Sequence, residues 1–342
     1  MSLEGFMPRL TRRRWLAAAV LSVALAACAP MPNAPAADPL PSWNEGANKQ
    51  RIVDFVKAVT TEGGKDYVAP ADRIAVFDND GTLWVEHPMY TQLEFVFDRI
   101  RQLAPQHPEW KAQEPFKSLL AGDMKGVEAA GEKGLIEMLL AAQSGSTPEE
   151  FERVVGEWLK TAKHPRFKRP YNELTYQPMQ EVMRYLRANG FKTFIVSGGT
   201  TDFMRATTEP TYGVPNEQVI GSPQKSAFTV KDGKPMVTML PALEFNDDRS
   251  GKPIAIAQII GKRPIAAFGN SDGDFQMLQW TTAGSGKRLG MLVHHDDAVR
   301  EYAYDRDTAF GRLADGLDQC KAMGWGLISM KNDWKVVFAP GK

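Results

Sequence analysis

The sequence predicts an α/β protein, in which a doubly wound, Rossmann-like parallel sheet is interrupted by an inserted block of helices. Short apolar runs alternate with helical segments after about residue 171, and several of these runs end in polar loops. Strands that alternate with helices favour a parallel sheet. Residues 88–170 show helical periodicity alone, which predicts a helical cap inserted into a core formed by residues 46–87 and 171–342.

Composition narrows the class of protein before any motif is considered. Of 342 residues, 43% are hydrophobic and 24% are charged, which is typical of a globular protein. Lys and Arg together number 41, as do Asp and Glu, so no overall charge favours a nucleic-acid partner. Only two cysteines, Cys28 and Cys320, are present, and the fold is therefore expected to rest on core burial without a disulfide framework.

The first 28 residues have the pattern of an export signal. An arginine-rich stretch, Thr11 to Leu16, precedes an uncharged run from Ala17 to Ala27, which is too short to span a bilayer. The run ends in Leu25-Ala26-Ala27-Cys28 and resembles a bacterial lipoprotein signal, while the arginines resemble a twin-arginine export motif. The resemblance implies lipidation of Cys28, the only expected membrane contact, on the periplasmic side. A cleaved signal with a chance cysteine remains the alternative.

A tether is predicted to follow this signal. Residues 29–45 are rich in proline and alanine and show no apolar periodicity, which is typical of an extended linker. Apolar residues then recur at helical spacing between residues 48 and 60, which predicts an amphipathic helix. The apolar run Arg73 to Phe77 predicts a buried parallel strand, and it delivers the polar loop Asp78-Asn79-Asp80-Gly81-Thr82 at its carboxyl end.

The predicted cap contains one helix start that the sequence specifies in detail. Thr147 is placed as the N-cap, Pro148 as the first helical residue and Glu150 as the third, so that side chains satisfy the first-turn amide groups. The aromatic residues Trp84, Phe95 and Phe97 are interpreted as cap and core packing. Together with the helical periodicity, this start predicts that residues 88–170 are entirely helical.

The second part of the core follows the cap. We predict a helix over 178–188 closed by Asn189-Gly190, a hairpin over 227–240, and a helix over 253–260. Strands are predicted where short apolar runs occur, at 192–196, 219–221, 264–268, 288–293 and 325–330.

Four polar segments should meet at one edge of this sheet. They are Asp78 to Thr82, Ser197-Gly198-Gly199, Lys252, and Asn270 to Asp274. Right-handed crossovers bring the carboxyl ends of parallel strands to the same edge, where ligands bind. Two carboxylates two residues apart are suited to separate roles, one in attack and one in proton transfer, while a hydroxyl, an ammonium group and a metal neutralise a phosphoryl group.

Together these segments resemble the four motifs of haloacid dehalogenase superfamily phosphatases, in the same order. The resemblance implies that Asp78 is the nucleophile and Asp80 the general acid and base, with Ser197 and Lys252 holding the phosphoryl charge. It implies that Mg²⁺ is bound by Asp78, Asp80, Asn270 and Asp274, and that Thr82, Glu86, Gly198 and Gly199 contact a small phosphorylated substrate. The helical insertion resembles the cap of the phosphoserine phosphatase-like branch, although Glu86 does not match the spacing of that branch's substrate-contacting glutamate.

One departure from the family pattern affects the metal site. Gly269-Asn270 stands where the family usually has Gly-Asp, so an amide oxygen replaces a carboxylate, and Asp272 or Asp274 is an alternative ligand. Asn270 also encourages a second hypothesis, a catalytically weak lipoprotein that binds a phosphorylated ligand or an envelope partner. The first hypothesis is a Mg²⁺-dependent phosphatase that forms an aspartyl phosphate.

Three other features have less specific interpretations. Lys225 is the competing choice for the catalytic lysine, but Lys252 is preferred because it opens a helix leading to the fourth motif. Gly284-Ser285-Gly286-Lys287 lacks the spacing of a phosphate-binding loop and is interpreted as a surface loop. His294 and His295 are adjacent in a predicted strand, where side chains face opposite sides, and this favours structural roles over a metal cluster.

Overall fold

The computed structural model describes residues 38–339. Its centre is a seven-stranded sheet in which six strands are parallel, in the order β3, β2, β1, β6, β7, β9. These are β1 (Ile74–Phe77), β2 (Lys192–Thr200), β3 (Val219–Ser222), β6 (Ala266–Gly269), β7 (Leu289–Asp296) and β9 (Gly326–Ser329), and the short β8 (Ala303–Tyr304) pairs antiparallel with the end of β7. The predicted doubly wound α/β sheet is confirmed.

Helices cover both faces of this sheet, which explains why the central strands are apolar throughout. Every residue of β1, β3 and β6 is buried, since neither face meets water. The flanking helices are α1 (Ala47–Thr60), α7 (Gln177–Ala188), α8 (Thr201–Tyr212), α9 (Gly251–Ile259), α10 (Phe275–Thr282), α11 (Asp315–Gln319) and α12 (Met330–Asp333). Separate apolar clusters fill the two faces of the sheet.

In the predicted cap block, residues 88–170, all the regular elements are helices. The block contains α2 (Thr91–Leu103), α3 (Phe116–Ala121), α4 (Met124–Ala129), α5 (Gly131–Gln143) and α6 (Pro148–Thr161), which pack around an apolar cluster of their own. The capping box at the start of α6 is confirmed: Thr147 accepts from the Glu150 amide, and the Glu150 side chain accepts from the Thr147 amide.

A hairpin after β3 joins the cap to the core. It consists of β4 (Gln224–Lys231) and β5 (Lys234–Leu243), a longer hairpin than the predicted 227–240. Backbone hydrogen bonds join β5 to the loop between α5 and α6, from the Gly145 amide to the Met239 carbonyl (2.9 Å) and from the Met239 amide to the Ser146 carbonyl (3.0 Å). The hairpin therefore fixes α5 relative to the sheet.

The structure corrects the predicted tether at its C-terminal end. Leu40 and Trp43 are fully buried, and the Trp43 indole donates to the Pro178 carbonyl at 3.0 Å. Residues 40–45 thus belong to the folded unit. The sequence does not reveal this, because isolated apolar side chains lack the periodicity that identifies a packed segment. The predicted signal, Cys28 and most of the tether lie outside the described residues. Within residues 38–339, no helix has the length and apolar character needed to span a membrane.

Candidate active site

Asp78 lies immediately after β1, at the carboxyl edge of the sheet. Its amide donates to the Phe268 carbonyl of β6 at 2.9 Å, so the loop begins where the two central strands end. The side chain is buried, and its Oδ1 accepts a 2.6 Å hydrogen bond from the Lys252 ammonium group. Burial raises the pKa of Asp78 well above its usual range, and Asp274 raises it further, against the opposing effect of Lys252.

Lys252 lies in the first turn of α9 and contacts residues of three separate segments. Its Nζ donates to Asp78 Oδ1 and Asp274 Oδ1, both at 2.6 Å, and to the Val196 carbonyl at 3.0 Å. Burial disfavours the ammonium form, but Asp274 and Asp78 outweigh this and raise the pKa of Lys252. The two carboxylates therefore favour the charged form of Lys252. The competing Lys225 is exposed on β4.

Asp274 is fully engaged by protein donors. While Oδ1 accepts from Lys252, Oδ2 accepts from the amides of Asn270 (3.0 Å) and Ser271 (3.1 Å) and from the Ser271 hydroxyl (3.3 Å). The carboxylate therefore shapes the loop after β6 and holds Lys252 in place.

Asp80 projects into the cavity beside Asp78. Its Oδ1 accepts a 2.8 Å hydrogen bond from the Trp84 indole. Burial raises the pKa of Asp80 to about 6, although the Trp84 hydrogen bond and Lys252 oppose the rise. A carboxyl group with this pKa exchanges its proton near neutral pH, as a general acid and base must. Trp84 packs in the core as predicted, and it also holds Asp80.

Glu86 forms a separate buried cluster of hydrogen bonds with Asn270 and Tyr304. Its Oε1 accepts from Asn270 Nδ2 at 2.6 Å and from the Tyr304 hydroxyl at 2.7 Å. A glycine faces it on either side: a Cβ would lie 2.3 Å from Glu86 Oε1 at Gly81 and 1.9 Å from it at Gly311, and both residues have positive φ. Burial raises the pKa of Glu86 well above its usual range, despite the Tyr304 hydrogen bond.

The second predicted segment forms part of the cavity wall. Ser197, Gly198 and Gly199 line it together with Asp78, Asp80, Glu86 and Lys252. The Ser197 hydroxyl accepts from the Gly199 amide at 3.1 Å, which keeps its oxygen close to the turn. The cavity has a volume of about 260 Å³ and lies between the sheet edge and the cap.

Thr82 and Asp272 occupy different positions from those that the sequence suggests. Thr82 is fully buried and does not line the cavity; its hydroxyl donates to Asn270 Oδ1 at 3.1 Å and lies 3.5 Å from Asp78 Oδ2. Thr82 therefore packs beside Asp78 and Asn270 and lies outside the cavity lining, whereas the sequence predicts that it contacts the substrate. Asp272 accepts from the amides of Ala314 and Gly316, and so anchors the C-terminal region.

Sequence reasoning missed several residues that support the site. Tyr304, His295 and Gln92 lie far from the motifs along the chain. His295 Nε2 lies 2.7 Å from the Gly81 carbonyl oxygen. The Gln92 side chain forms two hydrogen bonds with Thr200, one to its hydroxyl and one to its amide. His294 instead contacts Asp305, so the adjacent histidines have separate partners, as their placement in a strand predicts. The alternation of the strand could have identified His295 as the buried member of the pair, but not its partner.

Oxygen atoms suited to a divalent cation occur around Asp78. Within residues 38–339, no three His, Cys, Asp or Glu side chains cluster as a metal site. Asp78 Oδ2 and Asn270 Oδ1 nevertheless both face the Thr82 hydroxyl, which places a carboxylate and an amide oxygen side by side. Asp78 and Asp274 contact the ammonium group of Lys252, and the carboxyl groups of Asp80 and Glu86 line the same cavity as Asp78. Hard oxygen donors and this excess of negative charge fit a Mg²⁺ ion.

Comparison with known proteins agrees with this geometry. The family model described as haloacid dehalogenase-like hydrolase matches residues 75–279. A solved structure of a conserved, functionally unknown protein from Anaerococcus prevotii DSM 20548 is 17% identical and has a TM-score of 0.53; the match covers 86% of this chain and 96% of that one. A protein with unknown function from Bordetella pertussis Tohama I is 16% identical, with a TM-score of 0.48 and coverage of 75% and 97%.

A third similar structure has an enzyme name. It is a probable phosphoserine phosphatase from Vibrio cholerae, which is 16% identical with a TM-score of 0.37, and the match covers 76% of this chain and 67% of that one. No curated protein sequence matches this chain.

Proposed function

Because the chain belongs to the haloacid dehalogenase-like hydrolases, we propose that it is a Mg²⁺-dependent phosphatase that hydrolyses a small phosphate monoester through an aspartyl phosphate on Asp78. The observation that carries the proposal is the pairing of Asp78 with Lys252 at 2.6 Å, directly beside an Asp80 whose pKa is near 6. The Lys252 ammonium group favours the ionised form of Asp78 against the effect of burial, while Asp80 can exchange a proton near neutral pH. These are the two functions that phosphoryl transfer through a covalent intermediate needs.

Each of these residues has its own role in the proposed reaction. Asp78 attacks phosphorus in line and displaces the alkoxide, which takes a proton from Asp80. Asp80 then accepts a proton from the water that cleaves the aspartyl phosphate, so that it returns to its starting state. Lys252, Ser197 and the main-chain amides of Gly198 and Gly199 stabilise the charge on the phosphoryl oxygens.

The Mg²⁺ ion would be held by the carboxylate of Asp78, the main-chain carbonyl oxygen of Asp80 and the amide oxygen of Asn270, which leaves the Asp80 side chain free to carry a proton. When bound, it supplies positive charge that reduces the repulsion between a carboxylate and a phosphoryl group. Asp274 and Asp272 already accept hydrogen bonds on both oxygens. We therefore assign Asp274 to the positioning of Lys252 and of the Asn270 loop, and Asp272 to the C-terminal region.

Turnover of a simple aryl phosphate tests this proposal. The wild-type protein should hydrolyse 4-nitrophenyl phosphate with Mg²⁺ and lose activity with EDTA. Lys252→Met should lower kcat by at least about 100-fold, the size of effect seen when a group that stabilises transition-state charge is removed. Absence of Mg²⁺-dependent turnover in the folded wild type would refute the proposal and would favour a ligand-binding role.

The proposal for location rests on the N-terminal sequence. We propose that the protein is exported and anchored by a lipid on Cys28, supported by the uncharged run that ends in Leu25-Ala26-Ala27-Cys28. The proline-rich residues that follow would separate the membrane from the folded unit, which begins near Leu40.

A further inference from the structure

The cavity has two chemically different walls. The sheet edge supplies carboxylates, glycines and Lys252, as described above. The opposite wall is apolar and is formed by α2, α5, the end of β5 and the loop before α11. Its side chains are those of Leu93, Leu135, Ile136, Leu139, Leu243 and Phe310.

One face of α5 contributes half of this wall. Glu132, Leu135, Ile136 and Leu139 all line the cavity, and their spacing of three, four and seven residues places them on one side of the helix. Glu132 is exposed at one end of this stripe. The apolar side chains thus face the reacting groups, not the interior of the cap alone.

The apolar wall is held in a defined position relative to the carboxyl end of β2. The backbone pairing of Met239 with Gly145 and Ser146 joins the end of α5 to the hairpin. At the edge of the cavity, the Thr200 hydroxyl donates to Gln143 at the end of α5 at 3.3 Å, and the Thr200 amide donates to Gln92 at 3.0 Å. These bonds link the cap directly to the segment after Ser197, so the wall is preformed.

Charge in the cavity limits what a substrate can carry besides its phosphoryl group. Five carboxylates line it: Asp78, Asp80, Glu86, Glu132 and Asp248. Lys252 is the only cationic side chain among the described residues that line it, and its ammonium group is already bound to Asp78, Asp274 and the Val196 carbonyl. A second anionic group would therefore enter an acidic cavity without a partner, which is strongly unfavourable.

We infer that the alcohol portion of the substrate is a compact apolar group, aryl or branched alkyl, with no anionic substituent. This inference rests on the proposed phosphatase function. Two observations carry it: the apolar face of α5 opposite Asp78, and the absence of a free cation among the described cavity residues. The cavity volume of about 260 Å³ is small beside typical ligand pockets of roughly 300–1,000 Å³, which favours a compact group.

The experiment compares substrates that differ in one property. Values of kcat/KM are measured with Mg²⁺ for phenyl phosphate, glycerol phosphate, 4-carbamoylphenyl phosphate and 4-carboxyphenyl phosphate. Phenyl phosphate should exceed glycerol phosphate, and the carbamoyl ester should exceed the carboxyl ester of nearly equal size, each by at least about tenfold, which corresponds to about 1.4 kcal/mol. Equal or reversed preferences would overturn the inference while leaving the phosphatase function intact.

A matched pair of variants locates the source of the discrimination. Glu132 and Glu137 are both exposed on α5, but only Glu132 lines the cavity. Glu132→Lys should reduce the carbamoyl-to-carboxyl ratio by about tenfold, whereas Glu137→Lys, with the same change of charge, should leave it unchanged. Equal effects of both variants would show that long-range charge governs the preference and would contradict the assignment to the cavity.

Binding of uncleavable analogues separates the inference from the proposed function. Calorimetry with phenylphosphonate and 4-carboxyphenylphosphonate on the Mg²⁺-loaded protein should show at least tenfold tighter binding of the uncharged analogue. If this preference appears without turnover of any ester, the phosphatase proposal fails and the inference about the recognised group stands. If the two analogues bind equally, or neither binds, the inference fails.

Discussion

The side-chain amide of Asn270 donates to Glu86 Oε1 at 2.6 Å, while its oxygen accepts from Thr82 at 3.1 Å. The orientation of the amide is thus determined from both ends, and its oxygen faces the side of Asp78. The carboxylate that the family usually has at position 270 is missing, but a buried carboxylate, Glu86, lies within hydrogen-bonding distance of that position.

This contact changes what an aspartate at position 270 should do. Considered alone, Asn270→Asp adds a charge and should tighten Mg²⁺ binding. Next to Glu86 it places two buried carboxylates in contact, where one must take up a proton or move away. We expect the variant to lose about 1–3 kcal/mol of folding free energy in EDTA, the cost of an unsatisfied buried polar group.

The double variant Glu86→Gln/Asn270→Asp exchanges the two groups and restores the hydrogen bond with its donor reversed. It should recover the stability lost by Asn270→Asp and bind Mg²⁺ at least as tightly as the wild type. Thermal unfolding in EDTA and Mg²⁺ calorimetry on both single variants and the double variant provide a complete cycle. Additive effects would show that Glu86 and Asn270 act independently.

The hydrogen bond from Trp84 to Asp80 should be visible in the pH dependence of the reaction. It lowers the pKa of Asp80 against the effect of burial. Asp80 must be protonated to act as the acid, so kcat/KM is expected to fall as the pH rises above about 6. Trp84→Phe removes the donor and should move this alkaline limb upward by about one pH unit, since a hydrogen bond to a charged group contributes roughly 1.5–3 kcal/mol.

Trp158→Phe is the matched control for this variant. Trp158 also donates its indole N–H to an aspartate, Asp98, on the cap. An unchanged pH profile in Trp158→Phe beside a shifted one in Trp84→Phe is expected. A downward shift in Trp84→Phe would contradict the role assigned to the bond.

Asp247 should make the fold less stable at alkaline pH. It lies between β5 and α9, is fully buried, and neither of its carboxylate oxygens has a hydrogen-bond partner among the described residues. Burial raises its pKa from 3.8 to about 7. Between these values the folded state binds a proton that the unfolded state does not, so stability falls as the pH rises from about 4 to about 7 and stays low above that.

Asp247→Asn removes this titration. It should stabilise the protein at pH 8 by a few kcal/mol, at about 1.4 kcal/mol per pKa unit, and have little effect near pH 4. Urea unfolding at both pH values measures the difference, with Asp232→Asn at the exposed tip of the hairpin as the control. Stabilisation of equal size at both pH values would show that the effect is not one of charge.

The anchor proposal predicts a change in fractionation. The wild-type chain produced in bacteria should sediment with membranes, and Cys28→Ala should release it into the soluble exported fraction, because the thiol is the site of lipid attachment. Cys320→Ala serves as the control, since Cys320 is buried in the core. Equal sedimentation of all three proteins would rule out Cys28 as the anchor.

Local pattern was sufficient to predict the sheet and the placement of four polar segments. The run from Ile74 to Phe77 is short, apolar and followed by two aspartates, so both the strand and its functional end are evident in the sequence. Lys252 is predictable for a similar reason, since it opens the helix that precedes β6. Order along the chain determines these features, because parallel strands bring their carboxyl ends together.

Contacts between distant side chains could not be predicted in this way. Glu86 and Asn270 are 184 residues apart, and Glu86 and Tyr304 are 218 apart. No periodicity specifies which pairs meet. Likewise, Leu40 and Trp43 are single apolar side chains in a proline-rich segment, and their burial depends on partners such as Pro178 that the local sequence does not reveal.

In the proposed reaction, Asp78 carries the phosphoryl group during turnover. Acid quenching during steady-state hydrolysis of phenyl phosphate, followed by borohydride reduction, converts an aspartyl phosphate to homoserine, which peptide mass spectrometry can locate. Homoserine is expected at position 78 in the wild type, and neither homoserine nor turnover is expected in a folded Asp78→Asn variant. Homoserine at another position, or retained turnover in Asp78→Asn, would contradict this role of Asp78.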